Sequence, residues 1–216
     1  MKNILITGAT GNTGSEVIRF LYENESSDKI IAGVRNIDSA KEVLEAYPEL
    51  EYVHFDFEDP RTFEKSLEGI DSIFLLRPPH ISDVDKYFRP LIEAVKRNNI
   101  NEIVFLSVQG AEKSKVIPHN KIERLIKESG AGYIFLRPSY FMQNLTTTLA
   151  EDIKTKRAII LPAGNAKFNW VDIENIAEAA AILTGSFSDY ENRAFEITGQ
   201  ENAGFSEVSR IISDTI

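Results

Sequence analysis

Asn3-Ile4-Leu5-Ile6-Thr7-Gly8-Ala9-Thr10-Gly11-Asn12-Thr13-Gly14 decides the fold. The run Asn3–Thr7 reads as a buried strand, and an amphipathic helix is expected from about Asn12 to Glu23. Between them stand three glycines spaced three apart. Gly8 can make the tight turn, Gly11 lets the backbone approach a pyrophosphate with no Cβ in the way, and Gly14 lets helix and strand pack closely. The helix N-terminus offers unpaired N–H groups and a partial positive charge to phosphates. No lysine follows the glycines, which excludes the GxxxxGK loop of ATPases and GTPases. The pattern predicts a dinucleotide site; the bland alternative is a tight strand-to-helix turn with no ligand.

Outward from this loop the same rhythm repeats. Strands are expected over Lys29–Arg35, Glu51–Phe57, Asp71–Leu76, Glu102–Ser107 and Gly132–Arg137. Helices are expected over Ser39–Ala46, Pro60–Leu67, Val84–Arg97 and His119–Glu128. Short apolar strands separated by helices mean parallel crossovers, and right-handed crossovers give an α/β doubly wound parallel sheet with its ligand crevice at the strand carboxyl ends. After about Phe141 the rhythm loosens. Short strands near Ala158–Leu161 and Phe168–Val171, a helix over Ile173–Leu183, a strand near Phe195–Thr198 and a helix from Ser206 are expected. Residues 1–140 are therefore assigned to dinucleotide binding. Residues 141–216 form a smaller C-terminal α+β part that completes the sheet and the substrate cleft. The chain stops in or just after its last helix, so truncation is expected.

Composition removes several function classes. With 216 residues, 43% apolar and 26% charged, the chain is long enough to bury a core without staples. Its formal charge of −9 argues against nucleic acid as a main partner. There is no cysteine, so disulfides, thiolate metal sites and cysteine nucleophiles are excluded. His54, His80 and His119 are scattered, and no metal site is expected. No apolar run approaches a membrane span and no signal-peptide core is present, so a cytoplasmic protein without membrane contact is expected. Asn24-Glu25-Ser26 and Asn144-Leu145-Thr146 match the glycosylation pattern; without a secretion signal they are expected to be accidental.

The second strand discriminates between cofactors. A carboxylate about 20 residues after the glycines would hold the ribose hydroxyls of NAD. Here Gly33-Val34-Arg35-Asn36 stands instead, and Arg35 can pair with a 2′-phosphate and stack on adenine, so NADP(H) is expected ahead of NAD(H). Asp56, beside Phe57, is placed either near the adenine amino group or as a turn carboxylate capping the helix at Pro60. Leu76, Arg77 and Pro78 follow the fourth strand and are expected to flank the cofactor ribose, with Arg77 read as a surface arginine rather than a phosphate ligand. Ser107, at the end of the fifth strand, is placed to bond the nicotinamide ribose or the substrate, or to be a plain turn serine. His119 is placed to bond the ribose or relay a proton, its ordinary pKa of about 6.5 lying near neutrality. Lys121 should face solvent, Asp172 should cap a helix, and Trp170 should be core or pocket wall. Tyr140 and Phe141 are candidates to wall a flat substrate ring, and Asn144 to orient it or cap a helix.

Several of these motifs occur together and in order. The glycine loop, Val34-Arg35-Asn36, Phe74 to Pro79, Leu106 to Glu112, Leu136 to Asn144 and Val171-Asp172-Ile173 together resemble the NmrA-like branch of the atypical short-chain dehydrogenases, over essentially the whole chain. The resemblance implies an NAD(P)-binding Rossmann fold with a smaller substrate part. It implies either an NADPH-dependent quinone or small-molecule reductase, or a non-enzymatic regulator that senses NADP and binds a protein partner. It also implies a chain tens of residues longer.

One departure bears on mechanism. Ordinary members of the wider family use Tyr-x-x-x-Lys, and none of the seven tyrosines has a lysine four residues on. In the expected segment, Lys115 to Glu123, His119 stands about where that lysine would be, which resembles the histidine variant of the NmrA-like members. The expected activity is thus hydride transfer between NADP(H) and a small flat acceptor such as a quinone, with Ser107 and His119 as the catalytic candidates. A sugar-epimerase reading lacks its proton-transfer residue.

Overall fold

The computed structural model describes residues 1–24 and 27–215; Glu25 and Ser26, which complete the first glycosylation-type tripeptide, lie outside the described residues. In chain order the strands are β1 (Asn3–Thr7), β2 (Lys29–Val34), β3 (Glu51–His54), β4 (Ser72–Leu76), β5 (Glu102–Leu106), β6 (Gly132–Pro138), β7 (Tyr140–Phe141), β8 (Lys167–Val171), β9 (Arg193–Ile197) and β10 (Asn202–Gly204). The helices are α1 (Asn12–Glu23), α2 (Ile37–Val43), α3 (Phe63–Leu67), α4 (Val84–Arg97), α5 (Pro118–Ser129), α6 (Ile173–Gly185), α7 (Phe187–Tyr190) and α8 (Phe205–Thr215).

Seven strands form one parallel sheet in the order β3-β2-β1-β4-β5-β6-β9. β1 lies in the interior of the sheet, between β2 and β4, and buries both of its faces. Ile4 and Ile6 are wholly buried in the core beneath α1 and α6, while Leu5 is wholly buried in the opposite core beneath α4. Phe74 and its neighbours Ile73 and Leu75 divide between the two faces in the same way. Both faces are covered, which is why these strands read as unbroken apolar runs.

Strand order reverses at β1, with β2 on one side and β4 on the other. The β1–β4 ladder pairs Ile4 to Ile6 with Ser72 to Phe74, and there the two strands part. Thr7 fills the gap with its side chain. Its buried hydroxyl donates to the Phe74 carbonyl at 3.0 Å and accepts from the Leu76 N–H at 3.1 Å. The crevice opens just beyond this bond, at the switch point.

Three expectations change. The third strand ends at His54, because Phe55 and Phe57 turn inward and pack edge-on against each other, 4.9 Å between centroids. The helix over Pro60–Leu67 opens as a 3-10 turn, Pro60–Thr62, before α3. No strand forms over Ala158–Leu161. A single π-type turn over Asp152–Lys156 precedes it, and Ile160 and Leu161 are exposed with no sheet edge beside them, so an apolar run was not a buried one.

Beyond β6 a small second sheet forms, with β8 parallel to β7 and antiparallel to β10. Trp170 is core, its indole N–H donating to the Ala203 carbonyl at 3.0 Å. β9 returns to the edge of the main sheet beside β6.

Candidate functional site

The glycine loop is built almost entirely of backbone. Gly8 has φ +61°, a conformation L side chains rarely adopt, and a Cβ there would press on the Leu76 side chain at 2.8 Å. The Gly8 carbonyl accepts from Gly11 N–H at 2.9 Å and closes the turn. Gly14 packs against that same turn: a Cβ on it would lie 2.8 Å from the Gly8 carbonyl carbon and closer still to its oxygen. Gly14 therefore shapes the loop from beneath, while Gly8, Thr10, Gly11, Asn12 and Thr13 face the crevice. The Ncap of α1 is Gly11, which supplies no side-chain acceptor, and the first turn carries no acidic residue. The first N–H groups of α1 are left without a side-chain partner, and the dipole is uncompensated. That is a fit for an anion, and the loop backbone leaves room for a phosphate.

From this loop a crevice of about 620 Å³ runs across the switch point, within the usual range for ligand sites. At one end lies Arg35, exposed, with no hydrogen-bond or ion-pair partner among the described residues. Asp56 shares that wall, and one of its carboxylate oxygens accepts from the Glu58 N–H at 2.9 Å. It does not cap the helix at Pro60; Asp59 does, accepting from the Arg61 N–H at 3.1 Å. Phe57 touches the wall but is mainly a core ring.

Leu76 and Pro78 line the middle of the crevice. Arg77 corrects its expectation, being neither a surface arginine nor a free phosphate ligand. Its guanidinium is half-buried and donates to the carbonyls of Pro78, Pro79 and Ile81. It staples its own loop, and its Nε donates to His119 Nε2 at 3.4 Å.

That contact changes His119. The imidazole does line the crevice, at the start of α5. Burial pushes its pKa down to about 4, and the Arg77 charge pushes the same way against a smaller opposing pull from Glu123. It is neutral at pH 7 and titrates well below the near-neutral range of an unperturbed histidine.

Ser107 also lies on the wall but is 1% exposed, and its hydroxyl donates to Glu123 at 2.6 Å. Lys121 points to solvent as expected.

Tyr140 and Phe141 separate. Successive residues of a strand face opposite ways. Phe141 lines the crevice, whereas Tyr140 packs with Phe168, Trp170 and Phe205 at centroid distances of 4.9 to 5.6 Å, away from it. Tyr140 is thus a half-buried member of this aromatic cluster and does not line the crevice. Asn144 lies on the wall inside a 3-10 turn, Met142–Leu145, and caps no helix.

The placement of this far wall depends on Gln143, whose role nothing in the sequence marks. Its amide donates to Asp172 at 2.8 Å and accepts from the Ile173 N–H at 3.0 Å, tying the turn to the N-terminus of α6. Asp172 caps that helix through the Glu174 N–H at 2.8 Å. Ile173, Thr147 and Thr148 join the wall by this tie. Thr147 and Thr148 had no motif signal, and Val171-Asp172-Ile173 gave Ile173 no place on this wall, because the tie spans 30 residues.

A parallel sheet with a bare helix N-terminus behind a glycine turn at its switch point defines a dinucleotide-binding α/β protein of the Rossmann type. A family model described as NAD(P)H-binding matches residues 8–160, and the chain belongs to that family. The resemblance to its NmrA-like, atypical short-chain dehydrogenase members is borne out. The chain is 34% identical over 214 residues to Prestalk A differentiation protein A of Dictyostelium discoideum, covering 99% of this chain and 69% of that one. It is 31% identical over 214 residues to the NAD(P)H azoreductase of Xenophilus azovorans, covering 97% and 72%. Among solved structures, the triphenylmethane reductase of Citrobacter sp., complexed with NADP(H), superposes with a TM-score of 0.82 at 27% identity, covering 99% of this chain and 76% of that one. Among the described residues no helix is long and apolar enough to cross a membrane.

Proposed function

We propose that the protein is an NADP(H)-dependent oxidoreductase that transfers hydride between the nicotinamide and a small flat acceptor such as a quinone. One observation carries the reading: the bare α1 N-terminus and the Arg35 guanidinium, unpaired among the described residues, line one crevice. The loop from Gly8 to Thr13 binds the pyrophosphate through backbone N–H groups. Arg35 pairs with the 2′-phosphate, which places NADP(H) ahead of NAD(H). The nicotinamide, when bound, supplies the hydride chemistry.

The chain's own residues orient and dry the reacting end. Residues 1–140 hold the dinucleotide, and residues from Phe141 onward wall the acceptor. Phe141 and Ile173 offer apolar surface to a flat ring, and the Asn144 side chain offers a polar handle. Neutral His119 contributes shape and hydrogen bonding rather than charge. The names of the Xenophilus azoreductase and the Citrobacter reductase support a reductive role.

Fluorescence titration with NADPH and NADH, followed by addition of a small quinone while the reduced-nicotinamide absorbance is monitored, tests the reading. Tight NADPH binding with quinone-dependent loss of absorbance is expected. Tight binding with no loss for any quinone or carbonyl would favour a regulator that reports NADP to a protein partner. No binding of either nucleotide would overturn the cofactor assignment.

A further inference from the structure

Behind the nicotinamide end of the crevice lies a buried charged network for which the activity has so far needed no role. Ser107 follows β5 and Glu123 lies on α5; they are 1% and 3% exposed. The Glu123 carboxylate is gripped by Arg137 of β6, from Nε to Oε1 at 3.0 Å and from Nη2 to Oε2 at 2.7 Å. Arg137 also pairs with Glu112 at 3.0 Å. A carboxylate held bidentately by a guanidinium is ionised and can only accept. The proton in the 2.6 Å contact between Ser107 Oγ and Glu123 Oε1 therefore belongs to Ser107. That length is typical of a hydroxyl donating to a carboxylate.

A serine hydroxyl has one proton. With that proton directed inward, Ser107 offers the crevice only a lone pair. A ligand group that meets it must be a donor. The ribose hydroxyls and the carboxamide N–H of a bound nicotinamide nucleotide qualify; a carbonyl oxygen of the acceptor does not, since it would set lone pair against lone pair.

We propose that Glu123 is a positioning residue that fixes Ser107 as a hydrogen-bond acceptor for the nicotinamide half of the cofactor, so that Ser107 does not polarise the substrate. The proposal rests on the dinucleotide reading above. Glu123→Gln keeps the size of the side chain and an oxygen for Arg137, but its amide N–H turns to Ser107 and releases the hydroxyl proton toward the crevice.

The test is a double-mutant cycle on the NADPH dissociation constant, by fluorescence titration of wild type, Ser107→Ala, Glu123→Gln and the double variant. Each single change should weaken NADPH about five- to tenfold, the worth of one hydrogen bond. The double variant should be no weaker than Ser107→Ala. With NADPH saturating, kcat of Ser107→Ala should fall by no more than NADPH affinity does, since the lost bond is to the cofactor and not to the reacting acceptor. Multiplying losses in the cycle would make Glu123 merely structural and overturn the proposal. So would a fall in kcat of more than about tenfold in Ser107→Ala, which would mean that Ser107 acts on the reacting substrate. If Glu123→Gln fails to fold, the Ser107→Ala split between binding and kcat decides. Failure of the wild type to bind NADPH would instead remove the cofactor reading itself, and the proposal with it.

Discussion

The two ends of the crevice are built from different materials. At the end proposed for the phosphates, Gly8 and residues 10–13 of one strand-to-helix turn line the crevice at the bare start of α1. At the end proposed for the nicotinamide, Arg77, Ser107, His119, Phe141 and Ile173 come from separate elements and present side chains. A backbone site is set by local spacing, because glycine geometry decides it. A side-chain site is set by which neighbours already hold each polar group. Arg77 and Ser107 both reach the crevice, yet one guanidinium is committed to three carbonyls and one hydroxyl to a buried carboxylate.

The sharpest way to break this contrast is at Gly14. A Cβ there collides with the backbone of Gly8, which cannot swing aside as a side chain can. Gly14→Ala should cost at least ~3 kcal/mol of stability or distort the loop enough to abolish NADPH binding. Urea unfolding together with nucleotide titration measures both. Near wild-type values in each would show that the loop yields, and the phosphate end would lose its rigid character.

His119 tests the side-chain end through pH. Its folded pKa of about 4 lies below the ordinary 6.5. As pH falls, the unfolded chain therefore takes up this proton first. The contribution is fully present above about pH 6.5 and is lost progressively toward pH 4, ~2–3 kcal/mol in all. In urea midpoints measured from pH 7 to 4.5, His119→Asn should lose stability less steeply than wild type. Parallel curves would mean that the ring is open to water and free of Arg77. For the same reason kcat should show no inflection from His119 near neutrality.

Arg35 sharpens the contrast from the other direction, because it is a side chain proposed to read the 2′-phosphate. Arg35→Glu should weaken NADPH about thirtyfold or more while moving NADH little, since a charge-assisted bond of ~2 kcal/mol is replaced by repulsion. Equal losses for both nucleotides would show that Arg35 does not read the 2′-phosphate.

Legibility in the sequence follows the same division. The strand-loop-helix from Asn3 to Glu23 was readable to the residue, because its signals are local: an apolar run, glycine spacing, helical period. The core strands were readable because both faces are buried. The aromatic pair at Tyr140 and Phe141 was not, since only pairing with Trp170 and Val171 decides which ring faces the crevice. Glu123 carried no motif of its own; its importance comes from Arg137, 14 residues on, and Ser107, 16 residues back. The exposed run at Ile160 and Leu161 misled for the complementary reason: apolarity alone does not supply a partner strand.

The smallest effect should come from that adjacent pair. Phe141 faces the crevice, so Phe141→Leu removes an aromatic surface from the acceptor side while keeping apolar bulk. The KM for a quinone should rise about three- to fivefold, the worth of one ring contact, with the NADPH dissociation constant unchanged. Tyr140→Leu should do the opposite. It removes edge-on contacts to Trp170 and Phe205, so the unfolding midpoint falls while quinone KM stays put. The two substitutions change neighbouring residues on one two-residue strand, so nonspecific damage to β7 would move both readouts in both variants. A rise in quinone KM for Tyr140→Leu without loss of stability would place its ring in the crevice and reverse the assignment of the two faces.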